Sequence, residues 1–364
     1  MSAVSLKTTD ALDYAQLIQQ LYDSTTSVVG QLKARRRLAV LLAQQKLVAL
    51  GKAHHSWGAV IAGNTGVGKT MMAQLMCRAC ELPFSAADAT KFSETGFAGR
   101  DLPTMFLPLI EDASAVYDRQ LQRSAFRTVP HRKERYTLAR PAEELEPILA
   151  MAQTGVVLLD EFDKWMSRKD TQGRDVGRVL QGELLAMISG TREWIIQSDA
   201  EDAPGVWFDT SKVLIICCGA FVGLSERVQK RLAREQLTQQ DQGFWDLVEP
   251  YDFQSFGVIP ELAGRQAVHI LLRALSPKDL AVIIKRPGGI VDEFAGYFRA
   301  VGGDLELTEG DLIRLASAAA ELDTGARSLD FTFWSVFGEA LYEATQRHGG
   351  VAHLDESGGR AYLA

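Results

Sequence analysis

The apolar run Ala59-Val-Ile-Ala leads directly into Gly63-Asn-Thr-Gly-Val-Gly-Lys-Thr70, and this junction constrains the fold more than any other stretch of the chain. Glycines at 63, 66 and 68 let the backbone turn so that successive N–H groups converge on a phosphate. A helix beginning near Lys69 adds the positive end of its dipole. Gly63, Asn64, Thr65, Gly66, Val67, Gly68, Lys69 and Thr70 therefore form the expected cradle for ATP. Lys69 is expected to reach the β and γ oxygens and Thr70 to ligate Mg2+.

A second apolar run, Val156-Val-Leu-Leu, ends in Asp160 and Glu161. Placed at the carboxyl end of a central strand, Asp160 is expected to hold magnesium and Glu161 to polarise an attacking water. Phosphoryl transfer needs positioning and charge stabilisation more than covalent help from the protein. Two adjacent acids in this setting point to hydrolysis of the nucleotide and not to its storage.

At 364 residues, 46% of them hydrophobic and 23% charged, the chain can bury a full core. Its length leaves room for about two domains. Lys plus Arg number 39 against 46 Asp plus Glu, a net charge of −7. That balance argues against general nucleic-acid binding, which depends on neutralising phosphates. No apolar run is long enough to span a bilayer and Met1 to Asp10 has no signal-peptide build, so the expected location is the cytoplasm. Cys77, Cys80, Cys217 and Cys218 lie on a helix and an apolar strand without a second pair at zinc spacing, and read as core thiols. His54 and His55 read as loop residues.

Along the chain, helices are expected at Ala11 to Tyr22 and Gln31 to Leu50. Strands at 59–62, 83–85, 155–159 and 212–217 then alternate with helices after Lys69, after Asp101 and over 179–188. This pattern predicts an α/β fold with a parallel sheet covered on both faces. From about Ser276 the apolar spacing turns helical, with one extended piece near 304–307, and suggests a smaller, mainly helical C-terminal domain. The expected division is an N-terminal extension over 1–24, a large nucleotide-binding domain over 25–275 and a small domain over 276–364.

Further segments follow in order: Val28-Val-Gly-Gln31, Ala86-Ala-Asp-Ala-Thr90, Thr95-Gly-Phe-Ala-Gly-Arg-Asp101, Asp160-Glu-Phe-Asp-Lys164 and Arg174-Asp-Val176. After them come Asp209-Thr-Ser-Lys212, Cys217-Cys-Gly-Ala-Phe221, Phe256-Gly-Val-Ile-Pro-Glu-Leu-Ala-Gly-Arg265 and Thr324-Gly-Ala-Arg327. In this set and order, over roughly residues 25 to 350, the chain resembles the ATPase module of the ClpX family of AAA+ unfoldases. The resemblance implies an AAA+ module with a C-terminal lid domain, a homohexameric ring and ATP-driven unfolding of a protein partner threaded through the pore. It implies that Val28 and Val29 pack on the adenine base. Arg265 would be an arginine finger acting on a neighbouring subunit's γ-phosphate, and Arg327 a sensor of that phosphate. Phe97 and Ala98 would line a first pore loop, and Arg174, Asp175 and Val176 a second.

The chain departs from the family pattern in several places. No zinc-binding cysteines precede the adenine segment. Where the family carries an Ile-Gly-Phe tripeptide that docks a peptidase, this chain has Gln242-Gly-Phe244, so the expectation is a remodeller without a dedicated peptidase. Between Thr191 and Asp209 an acidic stretch replaces a basic loop. A basic insertion over about 117–141 carries Arg119, Arg123 and Arg127 at helical spacing and then His131-Arg-Lys-Glu-Arg135. A stripe of this kind is either a solvated helical face or a docking surface for an acidic protein or nucleic acid. Two alternatives therefore stay open: the ATPase subunit of a ClpP-type protease, and an ATP-switched assembly or DNA-associated factor that binds through the insertion.

Overall fold

The computed structural model describes residues 14–93, 101–125, 137–169, 173–196, 204–234, 248–355 and 358–364. The chain divides into two bodies, one made of residues 1–27, 32–62 and 70–271, the other of 28–31, 63–69 and 272–364.

The first body is built on five parallel strands, β1 (Ala59–Ala62), β2 (Phe84–Asp88), β3 (Val156–Asp160), β6 (Leu214–Gly219) and β7 (Val268–Leu271). They lie in the order β2-β3-β6-β1-β7. Strands β1 and β6 are buried along their whole length, as continuous apolar runs must be when both sheet faces are covered. Alternate residues face opposite sides. Val60, Ala62, Val157, Leu159, Ile215 and Cys217 share one core with helices α4 (Leu107–Ala125), α5 (Ala142–Ala152) and α6 (Val176–Ser189). Phe106, Phe162, Trp165, Leu180 and Phe208 fill it.

Helices α1 (Tyr14–Asp23) and α2 (Leu32–Ala49) pair at the front of the chain. Arg35 is buried between them. Its Nε donates to Thr25 Oγ1 at 2.8 Å, and its guanidinium lies 4.3 Å from the centre of the Tyr22 ring. A hairpin that the sequence reading does not contain, β4 (Arg192–Ile196) with β5 (Gly205–Asp209), occupies the stretch read as an acidic loop. The residues between its strands lie outside the described part. Strand β7 is also absent from the sequence reading. The chain continues from α3 (Lys69–Ala79) through α7 (Leu224–Arg234), α8 (Pro250–Phe256) and α9 (Pro260–Arg265).

The second body holds α10 (Pro277–Ile284), α11 (Ile290–Ala300), α12 (Glu309–Glu321) and α13 (Ser328–Arg347). Phe294, Phe298, Leu315, Phe333 and Phe337 are its core. Capping boxes, Ser276 with Asp279 and Thr308 with Asp311, start α10 and α12 by pairing orphan backbone donors with side chains. The single extended piece expected near 304–307 is corrected to a three-stranded sheet in the order β10-β9-β8, formed by β8 (Gly303–Leu305), β9 (Gly350–Leu354) and β10 (Ala361–Leu363). Strand β8 offers the core one apolar side chain, Leu305, and its extended form depends on pairing with β9. Among the described residues, no helix is long and apolar enough to cross a membrane.

Candidate functional site

In the first body, the carboxyl ends of β1, β3 and β6 point to the same side of the sheet because the strands are parallel. Asp160 ends β3, and its Oδ1 accepts from the Glu161 backbone N–H at 2.9 Å. Its Oδ2 accepts from the Thr70 hydroxyl at 3.3 Å. Two of the expected residues, far apart in sequence, are thus brought together by the strand order. Glu161 turns the chain out of the strand with φ of 56°, a left-handed conformation that costs a residue with a side chain about 1–2 kcal/mol. Its carboxylate is exposed.

Asp163, one turn further on, is buried. Its Oδ2 accepts from the backbone N–H of Phe221 at 3.1 Å, while Oδ1 has no partner among the described residues. Gly219, the last residue of β6, sits so close that a Cβ there would lie 2.5 Å from Asp163 Oδ1. Gln181 on α6 bridges two further segments, donating to Gly257 O at 3.3 Å and accepting from Ile259 N at 2.8 Å. That bridge fixes the approach to α9, whose last residue, Arg265, is exposed. Sequence reading names Asp163 inside a motif without a task, and it misses Gln181, because nothing local marks a glutamine that spans two backbones.

The phosphate loop, residues 63–69, belongs to the second body. Gly66 and Gly68 adopt φ of 74° and 96°, the left-handed region that glycine enters without steric cost. Lys69 is buried at 9% exposure, and its Nζ donates to Gly63 O at 2.6 Å and Asn64 O at 2.9 Å. The ammonium is therefore held over the loop by two backbone carbonyls. Val28 is buried and its Cγ1 lies near Gly68, while Val29 is half-buried. Gln31 pairs its side-chain amide with Arg273, donating to O at 2.8 Å and accepting from N at 3.0 Å.

Arg327 closes the short turn Gly325–Arg327 and is exposed. The backbone just before it touches the phosphate loop: Ala326 N donates to Gly66 O at 3.0 Å. Gly66 and Gly325 meet without side chains, since a Cβ on Gly66 would lie 2.4 Å from Thr324 O and one on Gly325 would lie 2.5 Å from Thr65 O. A shallow cleft borders the loop, with Val67, Leu275, Leu280 and Ala319 among its walls.

The pore-loop residues Phe97 and Ala98 lie outside the described residues, as do Gln242, Gly243 and Phe244. Arg174 and Asp175 are exposed at the start of α6, with Val176 its first residue. Asp175 caps that helix, its Oδ1 accepting from Arg178 N at 2.9 Å. Of the basic insertion, Arg119 is exposed on α4, whereas Arg140 is engaged in two hydrogen bonds to Asp118 at 2.9 and 2.8 Å. Residues 126–136, with Arg127 and the His131 to Arg135 run, are outside the described part, and so is the side chain of Arg123. All four cysteines are buried thiols, and burial pushes Cys80 up to about 11, which leaves little thiolate at neutral pH.

Comparison with known proteins agrees with this arrangement. Residues 59–239 match the family described as ATPase family associated with various cellular activities (AAA). The chain is 28% identical over 354 residues to the ATP-dependent Clp protease ATP-binding subunit ClpX of Treponema denticola, covering 88% of this chain and 75% of that protein. It is 28% identical over 329 residues to ClpX 2 of Wolinella succinogenes, covering 87% and 74%. Against ClpX of Borrelia duttonii it is 28% identical over 299 residues, covering 78% and 62%. The strand order, the phosphate loop and the paired acids agree with these likenesses: residues 59–239 form an AAA ATPase module, and the chain is similar along most of its length to ClpX proteins.

Proposed function

We propose that this ATPase uses Mg-ATP to remodel or unfold a protein partner by threading it through a homohexameric ring. The observation that carries the nucleotide chemistry is the Thr70 hydroxyl held against Asp160, beside Glu161 at the end of β3. Hydroxyl and carboxylate oxygens suit a hard cation such as magnesium, and left-handed glycines with a carbonyl-held lysine suit a polyphosphate. Thr70 and Asp160 would hold the metal, and magnesium, when bound, neutralises charge on the phosphates.

Gly63 to Lys69 bind and orient the phosphates through backbone N–H groups and the Lys69 ammonium. Val28 and Val29 offer an apolar surface to the adenine. Glu161 orients a water and accepts its proton. Arg265, exposed at the end of α9, is free to reach a neighbouring subunit's phosphates, and Arg327 senses the γ-phosphate in its own subunit. For the mechanical step, Phe97 and Ala98 grip the extended polypeptide by size and hydrophobicity, with Arg174, Asp175 and Val176 as the second contact.

The relatives are named as subunits of a Clp protease, so the comparisons lend no support to a remodeller that works without a peptidase. A ClpP-type barrel is accordingly the first partner to assay, and the cytoplasm is the compartment this reading expects. Phe97→Ala tests the threading claim directly. ATP turnover should persist while turnover stimulated by an unfolded protein, and unfolding of that protein, are lost; unfolding at the unsubstituted rate would rule out this grip.

A further inference from the structure

The phosphate loop carries one contact that the nucleotide chemistry above does not use. Asn64 Nδ2 donates to Asp323 Oδ1 at 2.9 Å, across 259 positions of sequence. The same asparagine offers its backbone carbonyl to Lys69 Nζ at 2.9 Å. Asn64 is therefore a joint: one end of it answers to the catalytic ammonium, and the other to the segment that leads into Arg327.

Asp323 is held in the left-handed region with φ of 49°. Aspartate tolerates that conformation better than most residues because its short polar side chain bonds locally. Here the carboxylate instead reaches the phosphate loop. Behind it, the chain meets the loop again through Ala326 N on Gly66 O at 3.0 Å and through the bare approach of Gly325 to Thr65. The Asn64–Asp323 bond is the side-chain member of this set, and its asparagine also supplies one of the Lys69 acceptors.

We propose that Asn64 and Asp323 are a pair of positioning residues that hold the 323–327 segment on the phosphate loop and so tighten nucleotide binding. The inference rests on the reading of 63–70 as the nucleotide cradle. When phosphate oxygens draw Lys69 away from Gly63 O and Asn64 O, the loop keeps its place because Asn64 remains anchored through its side chain. Neither side chain touches the reacting atoms in this account; both act through Lys69 and the turn before Arg327.

The test is a double-mutant cycle on the full chain, read by titration with a fluorescent ADP analogue. Asn64→Ala and Asp323→Ala are each expected to weaken binding about threefold to tenfold, the range set by one hydrogen bond to a charged or neutral group in solvent. The double variant is expected to bind no more weakly than either single one. Asp323→Asn keeps the acceptor oxygen and the left-handed tolerance, and is expected to bind like the unsubstituted protein. Equal melting temperatures across the set exclude a folding effect. Unchanged affinity in both single variants, or losses that multiply in the double one, would overturn the proposal. Lys69→Ala in the same titration separates the two levels: undiminished binding there would overturn the nucleotide cradle itself, whatever the cycle gives.

Discussion

Asp163 Oδ2 accepts a hydrogen bond from the backbone N–H of Phe221 at 3.1 Å, and thereby ties the turn that leaves β3 to the turn that leaves β6. Both turns contain a left-handed residue with a side chain, Glu161 at 56° and Phe221 at 49°. A bulky aromatic in that region is uncommon and persists only where its surroundings over-determine it. For Phe221 those surroundings are Phe253 and Phe256, each with its ring centre 5.3 Å away, and the Asp163 carboxylate.

Asp163→Ala is expected to lower stability by about 1–3 kcal/mol, because it strands a buried N–H that water cannot reach. Asp163→Asn keeps an acceptor and should lose less. Urea unfolding checks both, with the loss read from a shifted midpoint at unchanged slope. Equal stability of the alanine variant would mean that the packing alone holds the Phe221 turn.

Asp279 predicts an acid-sensitive second body. Burial by itself would raise its pKa, but hydrogen bonds from the Arg273 guanidinium and from Ser276, with the Arg273 charge, outweigh that and bring it down to about 2. A carboxyl that is more acidic when folded than when unfolded contributes stability that is complete above its unfolded pKa, near 4, and disappears as pH falls toward 2. Asp279→Asn should therefore be less stable than the unsubstituted protein at pH 7 and converge with it at about pH 2. Thermal melts across that range decide; a constant gap would remove the Arg273–Asp279 pair from the account.

Arg265→Ala is expected to leave nucleotide affinity nearly intact and to suppress hydrolysis by about 10³-fold, the scale of an arginine finger. If the finger acts in trans, mixing Arg265→Ala with Lys69→Ala should restore part of the turnover, since a mixed ring contains one intact site wherever an unsubstituted arginine faces an unsubstituted cradle. Mixtures as inactive as their components would assign Arg265 to its own subunit or to structure.

Much of the first body was legible because it is written in contiguous runs. Strands β1 and β6 are apolar or small end to end and β3 is apolar up to Asp160, and the glycines after β1 and the acids at the end of β3 announce their use. Strand β7 is only Val-His-Ile-Leu, and its half-buried His269 hides it from a search for apolar runs. The β4–β5 hairpin was hidden differently. Trp194 and Trp207, its paired residues, are exposed, so the alternation with buried Ile195 and Phe208 does not read as a core strand. In the second body, β9 pairs with β10 on one side and with the distant β8 on the other, and this second, long-range pairing is a condition that local spacing does not encode. The same holds at the site. Thr70 and Asp160 were foreseeable from motifs, whereas Asn64–Asp323 and Asp163–Phe221 depend on which distant segments each body's own fold brings into reach.

The most direct test of the whole account is ATP turnover by the Glu161→Gln protein, measured beside its affinity for ATP and beside a Lys69→Ala control. The change preserves shape and removes the base, so the account predicts ATP binding like that of the unsubstituted protein, with turnover reduced at least about 10²-fold. Lys69→Ala should lose binding as well. Turnover by Glu161→Gln at the unsubstituted rate would contradict the account, because the carboxylate at the end of β3 would then have no part in the chemistry.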